Sequence, residues 1–124
     1  MVPQAAINMS DVRDIAKIHV LALENKSASG KRFIVTTEKP YKFQEMAEIL
    51  KTNGYPKVST KLAPNFLLNF MANFNREAKS MRAFIGKTYS GDVSSTMETF
   101  NWKPISFEKT VIDTAKSVDE AMKK

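Results

Sequence analysis

Apolar residues follow two rhythms along this chain: short unbroken runs near its start, and a three-to-four-residue period over most of the rest. Ile7-Asn8-Met9 reads as a short strand that runs into Ser10-Asp11-Val12-Arg13-Asp14. Ile15, His19, Ala22 and Leu23 then recur at i, i+4, i+7 and i+8, with Val12, Ala16 and Val20 widening the stripe. That spacing predicts an amphipathic helix ending at about Glu24. Asp11 and Asp14 stand three apart at its start, which suits them as structural caps. A carboxylate there accepts free backbone N–H groups and favours the positive end of the helix dipole.

Asn25-Lys26-Ser27-Ala28-Ser29-Gly30 reads as a loop by composition. Phe33-Ile34-Val35, inside residues 32–37, is a β-rich apolar run expected to form a buried strand ended by Pro40. A second helix follows from Phe43, Met46, Ala47 and Leu50, with no Ser or Thr cap in view; Gly54 and Pro56 close it. Parallel strands at Ile7-Asn8-Met9 and Phe33-Ile34-Val35, flanking the first helix, are the expectation for this half.

The second half changes character. Residues 57–62 alternate like a short exposed strand, and Ala63-Pro64-Asn65 opens a long helix. Phe66, Phe70 and Phe74, with Leu67 and Met71, form an aromatic ridge on that helix, read as core or domain contact. Residues 88–92 form a loop or short strand, and Ser94-Ser95-Thr96 starts a brief helix to Phe100. Trp102-Lys103-Pro104 makes a corner, and Ser106 opens the last helix, lined by Val111, Ile112, Ala115 and Val118. No repeat, low-complexity tract or Gly/Ser linker divides the chain.

Composition narrows the chemistry. With 124 residues the chain suits one domain, and no apolar run is long enough to span a bilayer. Cysteine is absent, which removes disulfides, thiolate nucleophiles and Cys-based zinc sites and fits a cytoplasmic location. One histidine, His19, cannot build a multi-histidine metal site, and on its apolar stripe it reads as a packed core residue rather than a general base. The charge is +6, yet 15 of the 19 cations are lysines scattered singly beside acids. That distribution suits a solvated face better than a nucleic-acid stripe.

Asp11-Val12-Arg13-Asp14-Ile15-Ala16-Lys17-Ile18-His19, followed by Gly30-Lys31-Arg32-Phe33-Ile34-Val35, resembles the C-terminal portion of an extended short-chain dehydrogenase/reductase. Glu48-Ile49-Leu50-Lys51, Phe100-Asn101-Trp102-Lys103-Pro104 and Asp113-Thr114-Ala115-Lys116-Ser117 continue the likeness in order. The branch it resembles most is the dihydroflavonol-reductase-like group of the NAD-dependent epimerase/dehydratase family. Asn101 stands where that family usually has glycine.

The resemblance implies an α/β fold: the last strand–helix units of a Rossmann-type parallel sheet, about residues 1–56, and a mainly helical small substrate domain, about residues 57–124. It implies a parent that uses NAD or NADP on a carbonyl or hydroxyl of a small-molecule substrate. In such a parent a glycine-rich turn cradles the cofactor, and a Tyr-x-x-x-Lys pair moves the proton. Neither motif is present. Gly30, Gly54, Gly86 and Gly91 are too far apart, and four residues beyond Tyr41, Tyr55 and Tyr89 stand Glu45, Ser59 and Val93.

No catalytic, cofactor-binding or metal residue is therefore assigned, and the chain reads as a fragment not competent alone. The resemblance sets Asn8 toward substrate. Arg13 is a second substrate-facing candidate, set against a salt bridge within the chain. The expected partners are the missing N-terminal Rossmann half or, for the chain alone, a second copy paired through the unsatisfied edge at Phe33-Ile34-Val35. Two other readings stay open: a stand-alone interaction module and a basic nucleic-acid-binding domain.

Overall fold

The computed structural model describes residues 1–64, 66, 70, 73, 76, 79–80 and 84–123. Helix α1 spans Val12–Glu24 and is followed by a 3-10 turn, Lys26–Ala28. Helices α2, Phe43–Thr52, α3, Ser94–Phe100, and α4, Phe107–Met122, are the other long elements among the described residues. Two short strands, β1 (Ala6–Ile7) and β2 (Tyr41–Lys42), pair antiparallel with Ala6 opposite Lys42 and Ile7 opposite Tyr41. The described residues are therefore α-rich with one small sheet, compatible with part of a Rossmann-like fold.

Each helix starts where a side-chain oxygen meets its free N–H groups. Asp11 caps α1 by accepting from the Arg13 N–H at 2.9 Å. At α2 the third helical residue does the work: the Glu45 carboxylate reaches back to the Lys42 N–H at 3.0 Å. In α3 neither serine caps the helix; Asp92 accepts from the Ser94 N–H at 2.9 Å. Ser106 Oγ accepts from the Lys109 N–H to open α4.

One core cluster joins Ile18 of α1, Ala28, Phe100 of α3 and Trp102, with Leu21, Ala22, Phe33, Val35 and Met97 packed around it. The Phe33 and Phe100 rings meet edge to face at 4.7 Å, a favourable quadrupole arrangement. A second packing zone lies where α2 meets α4, with Ala47, Phe107 and Val111 buried and the Tyr41 ring stacked on Phe107 at 3.8 Å.

Several expectations change. Residues 33–35 form no strand, and the pairing present near Ile7 is antiparallel, not parallel. A parallel ladder needs a neighbouring strand's N–H groups; here side chains occupy the carbonyls instead. Thr96 Oγ1 donates to Ile34 O at 2.6 Å, Ser10 Oγ to Val35 O at 2.5 Å and Asn8 Nδ2 to Thr37 O at 2.9 Å. The run keeps its buried-strand composition without strand pairing. Of residues 57–62, only Leu62 pairs, bridging Val2 in parallel.

The buried face of α1 is also rotated from the predicted stripe. Asp14 and Ile18 are buried, whereas Val12, Val20 and Leu23 are 78%, 55% and 90% exposed. His19 is exposed rather than packed, its Nδ1 bonded to Ile15 O at 2.7 Å. The cause is that α1 is apolar around most of its circumference, so periodicity alone could not choose a face. Finally, Phe66 and Phe70 are 75% and 63% exposed, while Leu67, Met71 and Phe74 of the expected ridge lie outside the described residues.

Candidate functional site

The densest polar arrangement surrounds the N-terminus of α1. Asp11, with only 4% of its side chain exposed, meets Arg13 through two contacts: Nε donates to Oδ1 at 2.8 Å and Nη2 to Oδ2 at 2.7 Å. Thr110 of α4 donates its hydroxyl to the same Oδ2 at 2.8 Å. Arg13 then extends Nη1 to Asp113 Oδ2 at 2.7 Å, and Lys109 reaches that oxygen at 3.1 Å from one helical turn away. The arrangement ties the start of α1 to the first two turns of α4.

The electrostatics follow from those donors. The Arg13 guanidinium, helped by the Arg13 N–H and Thr110, holds the Asp11 carboxyl well below the usual carboxylate range despite its burial. Arg13 and Lys109 lower Asp113 in the same sense, and the two carboxylates raise Arg13 further. An acid held so firmly ionised has no proton to give near neutral pH, and its lone pairs already face donors. This is a clasp rather than an acid–base pair.

Asp14 behaves differently from the cap expected of it. Its carboxylate is buried and accepts from Trp102 Nε1 at 2.9 Å and from the Ile105 N–H at 2.8 Å. Asn101 makes this possible: its left-handed backbone, φ 45° and ψ 46°, ends α3 and turns Trp102 inward. Among hydrophobic residues, Trp102 is one of the most deeply buried, and its indole N–H needs an acceptor when taken out of water. Asp14 supplies it. A cavity of about 10 Å³, room for one water, lies beside this corner between Ser10, Asp14, Thr37 and Trp102.

The structure brings Asp11 and Arg13 together, sets Asp14 next to them in a separate network, and leaves Asn8 outside both. Asn8 Nδ2 is engaged by Thr37 O, and Arg13 already meets two carboxylates. His19 takes no part in this network. Thr110, Lys109 and Asp113 were missed as members. The i, i+4 spacing of Lys109 and Asp113 was the available signal for part of the cluster. For Asp14 the signal was a carboxylate in register with Ile18 and Leu21 on one helix face.

The described residues do not fit a dinucleotide. A pyrophosphate cradle needs clustered glycine N–H groups at a helix start, yet the four glycines lie in separate loops. Each described helix also carries a carboxylate in or beside its first turn, namely Asp11, Glu45, Asp92 and Glu108, where an anion would have to sit. Among the described residues no group of acids or histidine has the arrangement of a metal site, and no helix is long and apolar enough to cross a membrane.

No protein-family model matches the sequence, and no curated protein matches it. Solved structures do. The chain is similar to Gre2 from Candida albicans, with 19% identity and a TM-score of 0.66, over 98% of this chain and 33% of that one. A structure of Candida albicans Gre2 in complex with NADPH gives 22% and 0.65, over 98% of this chain and 32% of that one. A reductase engineered to attenuate substrate inhibition in asymmetric catalysis gives 23% and 0.63, over 95% of this chain and 31% of that one. The likeness shows the fold alone, and the chain spans about a third of the length of these proteins.

Proposed function

We propose that this chain is the substrate-domain portion of an NAD(P)-dependent reductase or epimerase acting on a carbonyl or hydroxyl group, and that it is not catalytically competent by itself. The observation that carries the reading is the coverage: nearly all of this chain follows the Gre2 fold, yet it accounts for only a third of it. The cofactor turn and the Tyr-x-x-x-Lys pair are absent from the 124 residues, and the helix starts among the described residues carry carboxylates. The parent would carry NAD or NADP on its other part, and a carbonyl reductase within the dihydroflavonol-reductase-like branch is the favoured type.

In this reading residues 1–56 supply strand–helix units adjoining the cofactor part, and about 57–124 supply the substrate domain. Asn8 faces the substrate. Arg13 serves as a positioning residue, because its guanidinium already bridges Asp11 and Asp113 and fixes α1 on α4. The expected location is the cytoplasm.

Calorimetric titration tests the proposal. The 124-residue chain should give no binding heat with NADH or NADPH. A fusion carrying the two thirds of Candida albicans Gre2 that this chain does not match, joined ahead of residue 1, should bind NADPH. Micromolar cofactor binding by the chain alone, or none by the fusion, would overturn the reading.

A further inference from the structure

At about 100° per residue, α1 divides into three strips. Asp14, Ile18, Leu21 and Ala22 fall within an arc of roughly 100° and meet the core. Arg13, Lys17 and Glu24 occupy a narrow polar strip of roughly 40°. Val12, Ile15, Ala16, His19, Val20 and Leu23 fill the remaining apolar arc of roughly 140°. Of these only Ile15 is half-buried; the others are exposed, with Leu23 at 90% and Val12 at 78%. A helix that is apolar on two sides belongs between two layers rather than on a surface.

We propose that the Val12–Leu23 strip of α1 is the docking face for the polypeptide that completes the reductase fold, which rests on the function proposed above. Two occupants could cover the strip, a second copy or the rest of the fold, and coverage and size favour the latter. The solved structures of the same fold contain about twice as much further polypeptide as this chain aligns with. A second copy fits poorly. A stable pair buries about 20–30 residues on each side, and this strip offers six on a helix little more than three turns long. A broad apolar layer, by contrast, covers the strip and leaves the Arg13, Lys17 and Glu24 side in water.

The strip can be read residue by residue because this sequence contains no cysteine. Leu23→Cys and Val20→Cys variants, with Lys51→Cys on α2 as control, would be labelled with a maleimide and quantified by mass spectrometry of the labelled peptides. Two forms are compared: the chain alone over a concentration series, and the Gre2 fusion. The expected result is fast labelling at positions 20 and 23 in the chain alone, independent of concentration. In the fusion, labelling at both should slow about tenfold or more while position 51 is unchanged.

Protection that grows with concentration in the chain alone would assign the face to a second copy and overturn the proposal. Slow labelling in the dilute chain would do so too, since the strip would then be covered internally. A fusion that binds NADPH but labels at the free-chain rate overturns it while leaving the functional reading intact. A fusion with protected cysteines and no NADPH binding does the reverse. A fusion that neither binds nor protects counts against both.

Discussion

The two apolar sides of α1 meet opposite fates. On one side Ile18 packs with Ala28, Phe100 and Trp102, and even the carboxylate of Asp14 is matched by two N–H donors. On the other, Val12, Val20 and Leu23 face water. The difference teaches that burial here is decided by where polar groups find partners, not by hydrophobicity alone. Trp102 and Ile105 fix the inner side because their N–H groups require an acceptor that only Asp14 provides. Nothing comparable anchors the outer side, so it stays open to a further layer.

The largest test of that contrast is Asp14→Ala. It leaves the Trp102 indole N–H and the Ile105 N–H without their acceptor, each an unsatisfied donor costing about 1–3 kcal/mol. We expect a loss of roughly 2–5 kcal/mol in urea unfolding, a large part of a small domain's stability. Asp14→Asn, which keeps one carbonyl oxygen, should lose distinctly less. If Asp14→Ala unfolds at the same urea midpoint as the parent, the inner side is not fastened by this carboxylate.

How much of this was legible in advance depends on sequence distance. The bounds of α1 and the capping role of Asp11 could be read from a few adjacent residues, because caps act within one turn. Glu45 is equally local, at the third helical position of α2, yet it acts without the Ser or Thr that usually marks such a helix start. The true partners of Asp14 lie 88 and 91 residues away, beyond the reach of periodicity. The likeness to a reductase fragment could be recognised from ordered short motifs, yet the parallel strands it implied did not form. Residues 33–35 have the right composition, but pairing also needs neighbours, and hydroxyls from Ser10 and Thr96 took the carbonyls. The choice between the two sides of α1 was illegible because both sides read as apolar.

A second, smaller effect concerns the clasp between α1 and α4, through its pH dependence. Arg13 keeps the Asp11 and Asp113 carboxyls below their usual values, so both remain ionised in the folded chain where they would protonate in the unfolded one. A depressed folded value means stability that is fully present above the ordinary carboxylate value of about 4 and is lost as pH falls below it toward the folded value. Arg13→Met should lower the urea midpoint by less than Asp14→Ala, since the arginine side chain is 47% exposed and water compensates. The gap between parent and variant should stay constant from neutral pH to about 5 and close as pH falls below about 4. A gap that widens on acidification would mean that Arg13 is not what holds these carboxylates ionised.

The smallest expected effect is the most informative about the outer side of α1. Leu23 is 90% exposed, so Leu23→Lys removes almost no packing, and lysine is as good a helix former as leucine. Substitutions at such surface positions usually change stability by no more than about 0.5 kcal/mol. Two further terms nearly cancel. A cation in the last turn of α1, which has no basic residue there now, favours the negative end of the helix dipole. It also adds to a net charge already at +6. The urea midpoint of Leu23→Lys should therefore match the parent, while binding of a hydrophobic dye to the native chain falls, because the most exposed side chain of the strip has become charged. Ile18→Lys, five residues earlier on the buried side, should abolish cooperative unfolding altogether. Were Leu23→Lys to destabilise the chain as Ile18→Lys does, the outer side would already be part of this chain's own core, and the contrast between the two sides of α1 would collapse.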